Sequence, residues 1–530
     1  MVERRDGTSL ARLGLTEAWA APTLAALGWW DGDRPARQAE RVMWALARSP
    51  DPVLALRAVE RLAESAGSGW AALDAALRVD EGLRGRLLSL LGSSTALGDH
   101  LVANPDRWQR LSSGRALDPE HPPDVTERTA DLLVAVGADP AAPPPGSPGG
   151  ARAGVTGAEA VTALRLAYRD GLLDIAAADL AAVGEPALPV VPLEVVTSQL
   201  ADLACAALRA ALAVAVAEVL PDDQPDTEPA RLAIIGMGKC GGNELNYVSD
   251  VDVIFVAEPA DNLTTRVAST LMQVAGEACF PVDANLRPEG RQGALVRTLE
   301  GHLSYYRRWA KTWEFQALLK ARPVAGDVTL AEEYVSAVSP MVWAAAERGD
   351  FVAEVRAMRR RVEEHVRPDQ ADRELKLGRG GLRDVEFAVQ LLQLVHGRTD
   401  PDIRSGSTLE ALAALGDGGY VGRDDAANLA ASYRFLRLLE HRLQLERLRR
   451  THLLPAENDV AALRWLARSA KIRPDGRRDA VGVLLAEWRA NARRVRRLHE
   501  KLFYRPLLET VSKIPGERLR MTDKSATRRL

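Results

Sequence analysis

Asp250 and Asp252 open an apolar strand, and a glycine-rich turn stands shortly before them in the stretch GMGKCGGNELNYVSDVDVIFV, residues 236–256. Side chains alternate faces along a strand, so residues two apart point the same way and these two carboxylates converge on one volume. Paired hard oxygen ligands suit Mg²⁺. The turn ahead of them holds Gly236, Gly238, Gly241 and Gly242. Without a Cβ, such positions let phosphate oxygens approach backbone N–H groups. Together the two features point to phosphoryl or nucleotidyl chemistry on a metal-bound phosphate. Two-metal transfer calls for a third carboxylate from a neighbouring strand, and Asp283, in PVDANLRP, is the candidate. Cations must hold the phosphate oxygens that metals leave uncovered. Lys239 inside the turn, and Arg287, Arg291, Lys320 and Arg322 after the third acid, are placed for that role, with Ser249 as a hydroxyl donor or a cap of the turn.

Gly236, Gly238 and Gly241 also spell G-x-G-x-x-G directly after an apolar strand, the fingerprint of dinucleotide folds. That reading requires a full crossover helix and then an acid at the end of the next strand. Only eight residues, 242–249, separate the glycines from Asp250, too few for such a helix. Glu258 stands near the required distance, but Asp250 and Asp252 begin their strand rather than end it. The metal-site reading is preferred.

The elements that must carry these residues are few. Strand signals cluster at 232–235, 251–256 and 281–286, with a weaker one at 294–297 and a helix at 263–278 between the second and third. Everything else reads as helix. Apolar residues recur three and four apart through 13–111, and helices are expected at 157–182 and 193–220. After His302 the chain returns to helix, broken at Pro323, Pro340, Pro368, Gly378–Gly381 and Gly416–Gly419. The stretch GADPAAPPPGSPGG, 137–150, reads as a linker or disordered loop, and 221–229 as an acidic, proline-bounded break.

At 530 residues the chain exceeds the size of one core, so two to four domains are expected. Sixty-nine Lys plus Arg against 72 Asp plus Glu give a formal charge of -3, which argues against a nucleic-acid coat. The arginine-rich run 489–501 reads as a solvated amphipathic helix, with Val495 and Leu498 on its apolar face. Tyr305, Tyr306, Trp309, Trp313 and Phe315 read as core packing rather than a base-stacking platform. Cys205, Cys240 and Cys279 are too few and too scattered for a disulfide framework or a thiolate zinc site, and Cys240 lacks the partners of a nucleophile. The N-terminus lacks a signal-peptide core. The most apolar segment, 203–220, is interrupted by Arg209 and Glu218 and reads as a buried helix. A cytoplasmic protein with no membrane span is expected.

Several blocks carry a resemblance. GMGKCGGNELNYVSDVDVIF, LRPEGRQGALVRT, YYRRWAKTWEFQALLKARPVAGD and KLGRGGLRDVEFAVQ resemble successive motifs of bacterial glutamine synthetase adenylyltransferase, a bifunctional family within the polymerase β-like nucleotidyltransferases. The resemblance spans roughly residues 83–506. It implies an α+β, mostly helical fold, with a small mixed nucleotidyltransferase sheet embedded between helical regions. The implied organisation is an N-terminal helical region at 1–135, a linker at 136–150 and a nucleotidyltransferase domain at 151–330. A PII-uridylyltransferase-like helical domain at 331–510 and a tail at 511–530 follow. Family members are usually nearly twice this long, with two homologous halves. LLGSSTALGDHLVANPDRW and LFYRPLLETV resemble the amino-terminal half, which removes AMP from glutamine synthetase by phosphorolysis and releases ADP.

By this resemblance Asp250, Asp252 and Asp283 are catalytic metal ligands for Mg²⁺. Gly238, Lys239, Gly241, Gly242, Ser249, Arg287, Lys320 and Arg322 are then the nucleotide- and phosphate-binding set. Glutamine synthetase, ADP or ATP, phosphate and a PII-type signal protein are the implied partners, and control of nitrogen assimilation the implied role. ATP-dependent adenylylation at the same site, or a binding half with little activity of its own, are the alternatives. Cys240 stands where the family usually has leucine, Asn243 where arginine or glycine is more usual, and Ala284 and Asn285 in a segment more often ending Leu-Arg-Leu-Arg-Pro.

Overall fold

The computed structural model describes residues 9–112, 118, 120–220, 231–348, 351, 354, 357, 366–367 and 369–503. The acidic break at 221–229, Pro368 and the tail at 511–530 lie outside the described residues. The chain folds into two compact units, each drawn from separated stretches: Met1–Pro123, Arg169–Gln199 and Leu438–Ala486 form one, and Asp124–Tyr168, Leu200–Arg437 and Glu487–Leu530 the other.

The first unit is built on helices such as Glu40–Arg48, Pro52–Ala66, Trp70–Val79 and Glu81–Leu91. Their starts are chemically marked. Pro52 sits at the first helical position, and the Asp51 carboxylate accepts from the N–H groups of Val53 and Leu54, each at 2.9 Å. Leu56, Val59 and Leu62 on one stripe of that helix are fully buried, as the apolar spacing predicts. Buried charges in this unit are matched. Arg84, 2% exposed, donates to Glu185. Arg442 donates to both oxygens of Asp179, and Asp170 takes His100 at 2.9 Å and Arg107 at 3.3 Å.

The second unit holds a five-stranded mixed sheet: β1 (Arg231–Gly236), β2 (Val251–Glu258), β3 (Val282–Asp283), β4 (Val296–Arg297) and β5 (Arg322–Gly326). The order is β3-β2-β1-β5, with β4 also beside β2. β1 pairs antiparallel with β2 and with β5, while β3 and β4 both run parallel to β2. Ile234, Ile235, Val253, Ile254 and Phe255 are fully buried, because both faces of these central strands are covered. The helix Val328–Ala344 packs on β1, β2 and β5, and the helix Asn262–Ala278 returns the chain from β2 to β3.

Five features differ from the sequence expectation, the first a two-stranded hairpin, Trp30–Asp31 with Arg34–Pro35, inside the stretch expected to be helical. At β5 the sequence pattern predicts a proline break within helix. Pro323 lies on the sheet's end strand, opposite Ile235 beside a register shift, where a missing N–H costs little. The strand expected at 281–286 is only Val282–Asp283, since Asn285 turns back to donate its N–H to the Asp283 carboxylate at 2.7 Å. The proline- and glycine-rich stretch 137–150 is an ordered loop rather than a free linker: Gly146 accepts the Leu232 N–H at 2.9 Å, and Pro143 accepts that of Ala151 at 2.8 Å. Composition blocked helix and strand there, but the sheet's own unpaired donors fasten the loop. Of the aromatic group, Tyr306 and Phe315 are buried, whereas Trp309 is 72% exposed and Trp313 36%.

The helix Leu193–Val219 is long and apolar enough to cross a membrane by composition, and its most apolar window is 83% buried in the fold. The arginine-rich run lies on the helix Ala480–Phe503, with Val495 and Leu498 buried and Arg496 paired with Glu500 in solvent at 3.0 Å.

Candidate active site

Neighbouring strands bring two of the acids side by side, because Asp252 of β2 and Asp283 of β3 are register partners in the parallel pair. Asp250 precedes β2 by one residue. The glycine turn, a single helical turn Gly238–Gly241, closes against the start of β2, with the Met237 N–H donating to the Asp252 carbonyl at 2.8 Å. Gly238 has φ +53, and a Cβ there would lie 2.4 Å from Asp252 Oδ2. Both the backbone angle and the space demand glycine.

The three acids crowd one another. Burial, then the charges of Asp250 and Asp283, raise the Asp252 carboxyl to about 6, against the pull of Lys376 and Lys239. Among the described residues no three His, Cys, Asp or Glu side chains are gathered into a ready-made ligand set. One oxygen of Asp283 accepts the Asn285 N–H. The donor chemistry still fits a hard divalent cation, since all three groups are carboxylates and Asp252 is strained toward protonation by its neighbours.

The other expected residues are placed unevenly. Gly241 and Gly242 close the turn itself, their N–H groups donating to Met237 at 2.9 Å and Gly238 at 3.0 Å. Lys239 faces Glu386 at 3.7 Å. Ser249 is half-buried just before Asp250. Lys320 is buried and donates to Glu244 and, at 3.3 Å, to Thr408, while Glu244 also accepts the Thr408 N–H at 3.0 Å. Arg322 clasps the turn from β5, donating to the carbonyls of Cys240 at 2.8 Å and Gly241 at 3.2 Å. Arg287 ties its own loop through the Ala284 carbonyl at 2.8 Å; burial lowers its pKa and the nearby Asp283 charge opposes that. Arg291 donates to the Asn285 side chain at 3.2 Å. Lys320 and Arg322 are thus bound into the frame of the turn. The neighbouring Cys205 thiol, then burial, push the pKa of the Cys240 thiol up.

Site residues that the sequence reading did not single out come from the loop and helix at 374–396. The Lys376 and Leu377 N–H groups donate to the Glu374 carboxylate at 3.0 and 3.2 Å, and the Arg383 N–H donates to the Lys376 carbonyl at 2.9 Å. Gly380, at φ +81, lets the loop press on the helix Ala480–Phe503, where a Cβ would lie 2.1 Å from the Ala492 carbonyl. This folds Lys376 back toward the start of the helix Leu382–His396, which carries Arg383 and the buried Glu386. Burial raises Glu386, but the charges of Lys239, Arg383, Lys320 and Lys376 outweigh it and hold the carboxyl at about 2. Lys239 and Lys376 are therefore felt by both Asp252 and Glu386. The glycine spacing of KLGRGG was the available signal; nothing local linked it to a strand more than a hundred residues earlier.

A small mixed sheet with acids on adjacent strands beside a glycine turn, flanked by a helical module that supplies cations, defines a nucleotidyltransferase-class domain. Residues 84–337 match the glutamate-ammonia ligase adenylyltransferase family model, and residues 356–503 the GlnD PII-uridylyltransferase model. The bifunctional glutamine synthetase adenylyltransferase/adenylyl-removing enzyme of Nocardia farcinica is 60% identical over 521 residues, covering 98% of this chain and 50% of that protein. Proteins of the same name from Mycobacterium avium and Mycobacterium leprae are 57% and 56% identical, at 98% and 100% of this chain and 50% of each relative. The chain carries a domain of the glutamate-ammonia ligase adenylyltransferase family and spans about half the length of these relatives.

Proposed function

We propose that this half removes AMP from an adenylylated tyrosine of glutamine synthetase by phosphorolysis. Inorganic phosphate attacks the AMP phosphorus, the bond to the tyrosine oxygen breaks, ADP leaves, and the tyrosine oxygen recovers a proton. The observation that carries the reading is the acid group: Asp252 in register with Asp283, with Asp250 beside it, a concentration of negative charge that calls for a divalent cation. Mg²⁺ held by Asp250, Asp252 and Asp283 would supply neutralisation of phosphoryl charge. The protein's own share is positional. Lys239 and Lys376 are within electrostatic reach of both Asp252 and Glu386, and Lys239 offers N–H donors to phosphate oxygens. Gly238 lies against Asp252, Ser249 directly precedes Asp250, the Asp283 charge acts on Arg287, and Arg322 and Lys320 keep the turn in shape. The likeness of residues 356–503 to a PII-uridylyltransferase supports a PII-type protein as a regulatory partner.

The test separates direction from competence. The chain is incubated with adenylylated glutamine synthetase, phosphate and Mg²⁺, and separately with the unmodified enzyme and labelled ATP. ADP release in the first arm, lost in Asp252→Asn and Asp250→Asn, is the expected result. Label transfer in the second arm alone reverses the direction, and tight binding without turnover in either arm leaves a binding half.

A further inference from the structure

Among the cations around the glycine turn, Lys320 and Lys239 are held in opposite ways. Lys320 spends its protons on Glu244 and Thr408. Lys239 stands 3.7 Å from Glu386, inside ion-pair range but beyond hydrogen-bond range, so its donors are not consumed by that carboxylate. Glu386 is 4% exposed, and its Oε1 has no hydrogen-bond partner. Its other oxygen meets Arg383 at 3.2 Å. A buried carboxylate left with an unfilled acceptor is costly unless surrounding charge compensates it. The compensation comes from cations of three separate stretches: Lys239 of the glycine turn, Lys320 ahead of β5, and Lys376 and Arg383 of the 374–396 segment.

We propose that Glu386 is a positioning residue: its buried carboxylate fixes Lys239 beside the strand acids by charge alone, leaving the lysine N–H groups free to bind an incoming or departing phosphate. The helical module matched by the uridylyltransferase model thereby completes the phosphate site of the sheet module. This rests on the function proposed above and names a residue outside its acid group.

The experiment uses the full chain and the variants Glu386→Gln, Glu386→Asp and Lys239→Gln, with two readouts. The first is reactivity of Lys239 toward reductive methylation, mapped by mass spectrometry, which needs no turnover. The second is the rate of ADP release as inorganic phosphate is varied. Glu386→Gln should raise Lys239 labelling several-fold relative to Lys311, which is exposed, and raise the KM for phosphate about 10–100-fold with a smaller fall in kcat. Glu386→Asp should recover part of both effects, and in the Lys239→Gln background Glu386→Gln should add little to the KM. If Glu386→Gln fails to fold, Glu386→Asp carries both readouts, with intermediate changes expected. Unchanged Lys239 labelling, an unchanged phosphate KM, or fully additive effects would overturn the proposal. If the parent chain releases no ADP, the proposed reaction fails, while the labelling still decides whether Glu386 holds Lys239.

Discussion

The two compact units handle buried charge differently. In the helical unit Arg84 and Glu185, or Arg442 and Asp179, are joined by direct hydrogen bonds, each cation meeting its carboxylate. In the sheet-bearing unit Lys320 and Glu244 are joined in the same way, but Asp250, Asp252 and Asp283 repel one another, while Glu386 is surrounded by Lys239, Arg383, Lys320 and Lys376 and retains an unfilled oxygen. Matched pairs hold a fold; unmatched groups of one sign hold a potential ready for something else. Removing one partner should therefore damage stability in the first unit and chemistry in the second.

The largest effect expected is on turnover. Asp252→Asn should reduce ADP release by on the order of 10³-fold while leaving the melting temperature of the metal-free chain unchanged or higher, because it removes a carboxylate that its neighbours disfavour. A large loss of melting temperature would place Asp252 with the structural charges instead. Glu185→Ala is the counterpart: it strands the buried Arg84 and should cost about 3–5 kcal/mol in denaturant unfolding, with activity per folded molecule retained. Replacing both partners by apolar residues should recover most of that loss.

Gly238→Ala joins the two behaviours, since the new methyl would collide with the Asp252 carboxylate at a left-handed φ. Calorimetry should show a loss of about 1–3 kcal/mol, and the rate should fall about 100-fold as Asp252 shifts.

A pH scan sharpens the comparison with a buried group that holds no charge. Burial depresses His302 from 6.5 to about 4, despite its Nε2 hydrogen bond to the Phe255 carbonyl. Between those values the unfolded chain binds the proton and the folded chain does not, so stability falls as pH drops from 6.5 toward 4. His302→Gln should flatten that slope by roughly 2 kcal/mol in urea titrations at pH 6.5 and 4.5, and an unaltered slope would show that the imidazole titrates freely. The smallest effect is a cap: Asp51→Ala should cost about 1 kcal/mol, read from the urea midpoint, with no change in turnover.

Legibility in the sequence followed the range of the interaction. The helices Gly157–Gly184 and Leu193–Val219, and strands β1 and β2, match the expected spans within two residues, because periodicity is a local property. β5 was missed because Pro323 argues locally for a break and only its position opposite β1 makes it a strand. Trp309 and Trp313 were placed in the core by residue type, yet the cover they would need is absent among the described residues.

By itself the sequence determined that acids two apart open an apolar strand and that a turn in which Gly238 must be glycine stands before them. Strand alternation and the demands of a left-handed backbone act over a few residues and are written in order along the chain. The tertiary structure alone decided how the cations around that turn are engaged. Lys239, Lys320 and Arg322 look alike in sequence, but Glu386 leaves the first with its donors, while Glu244 and the carbonyls of the turn consume those of the other two. A charge acquires its role from what lies within a few ångströms in space, and those neighbours arrive from stretches of chain that no local pattern connects.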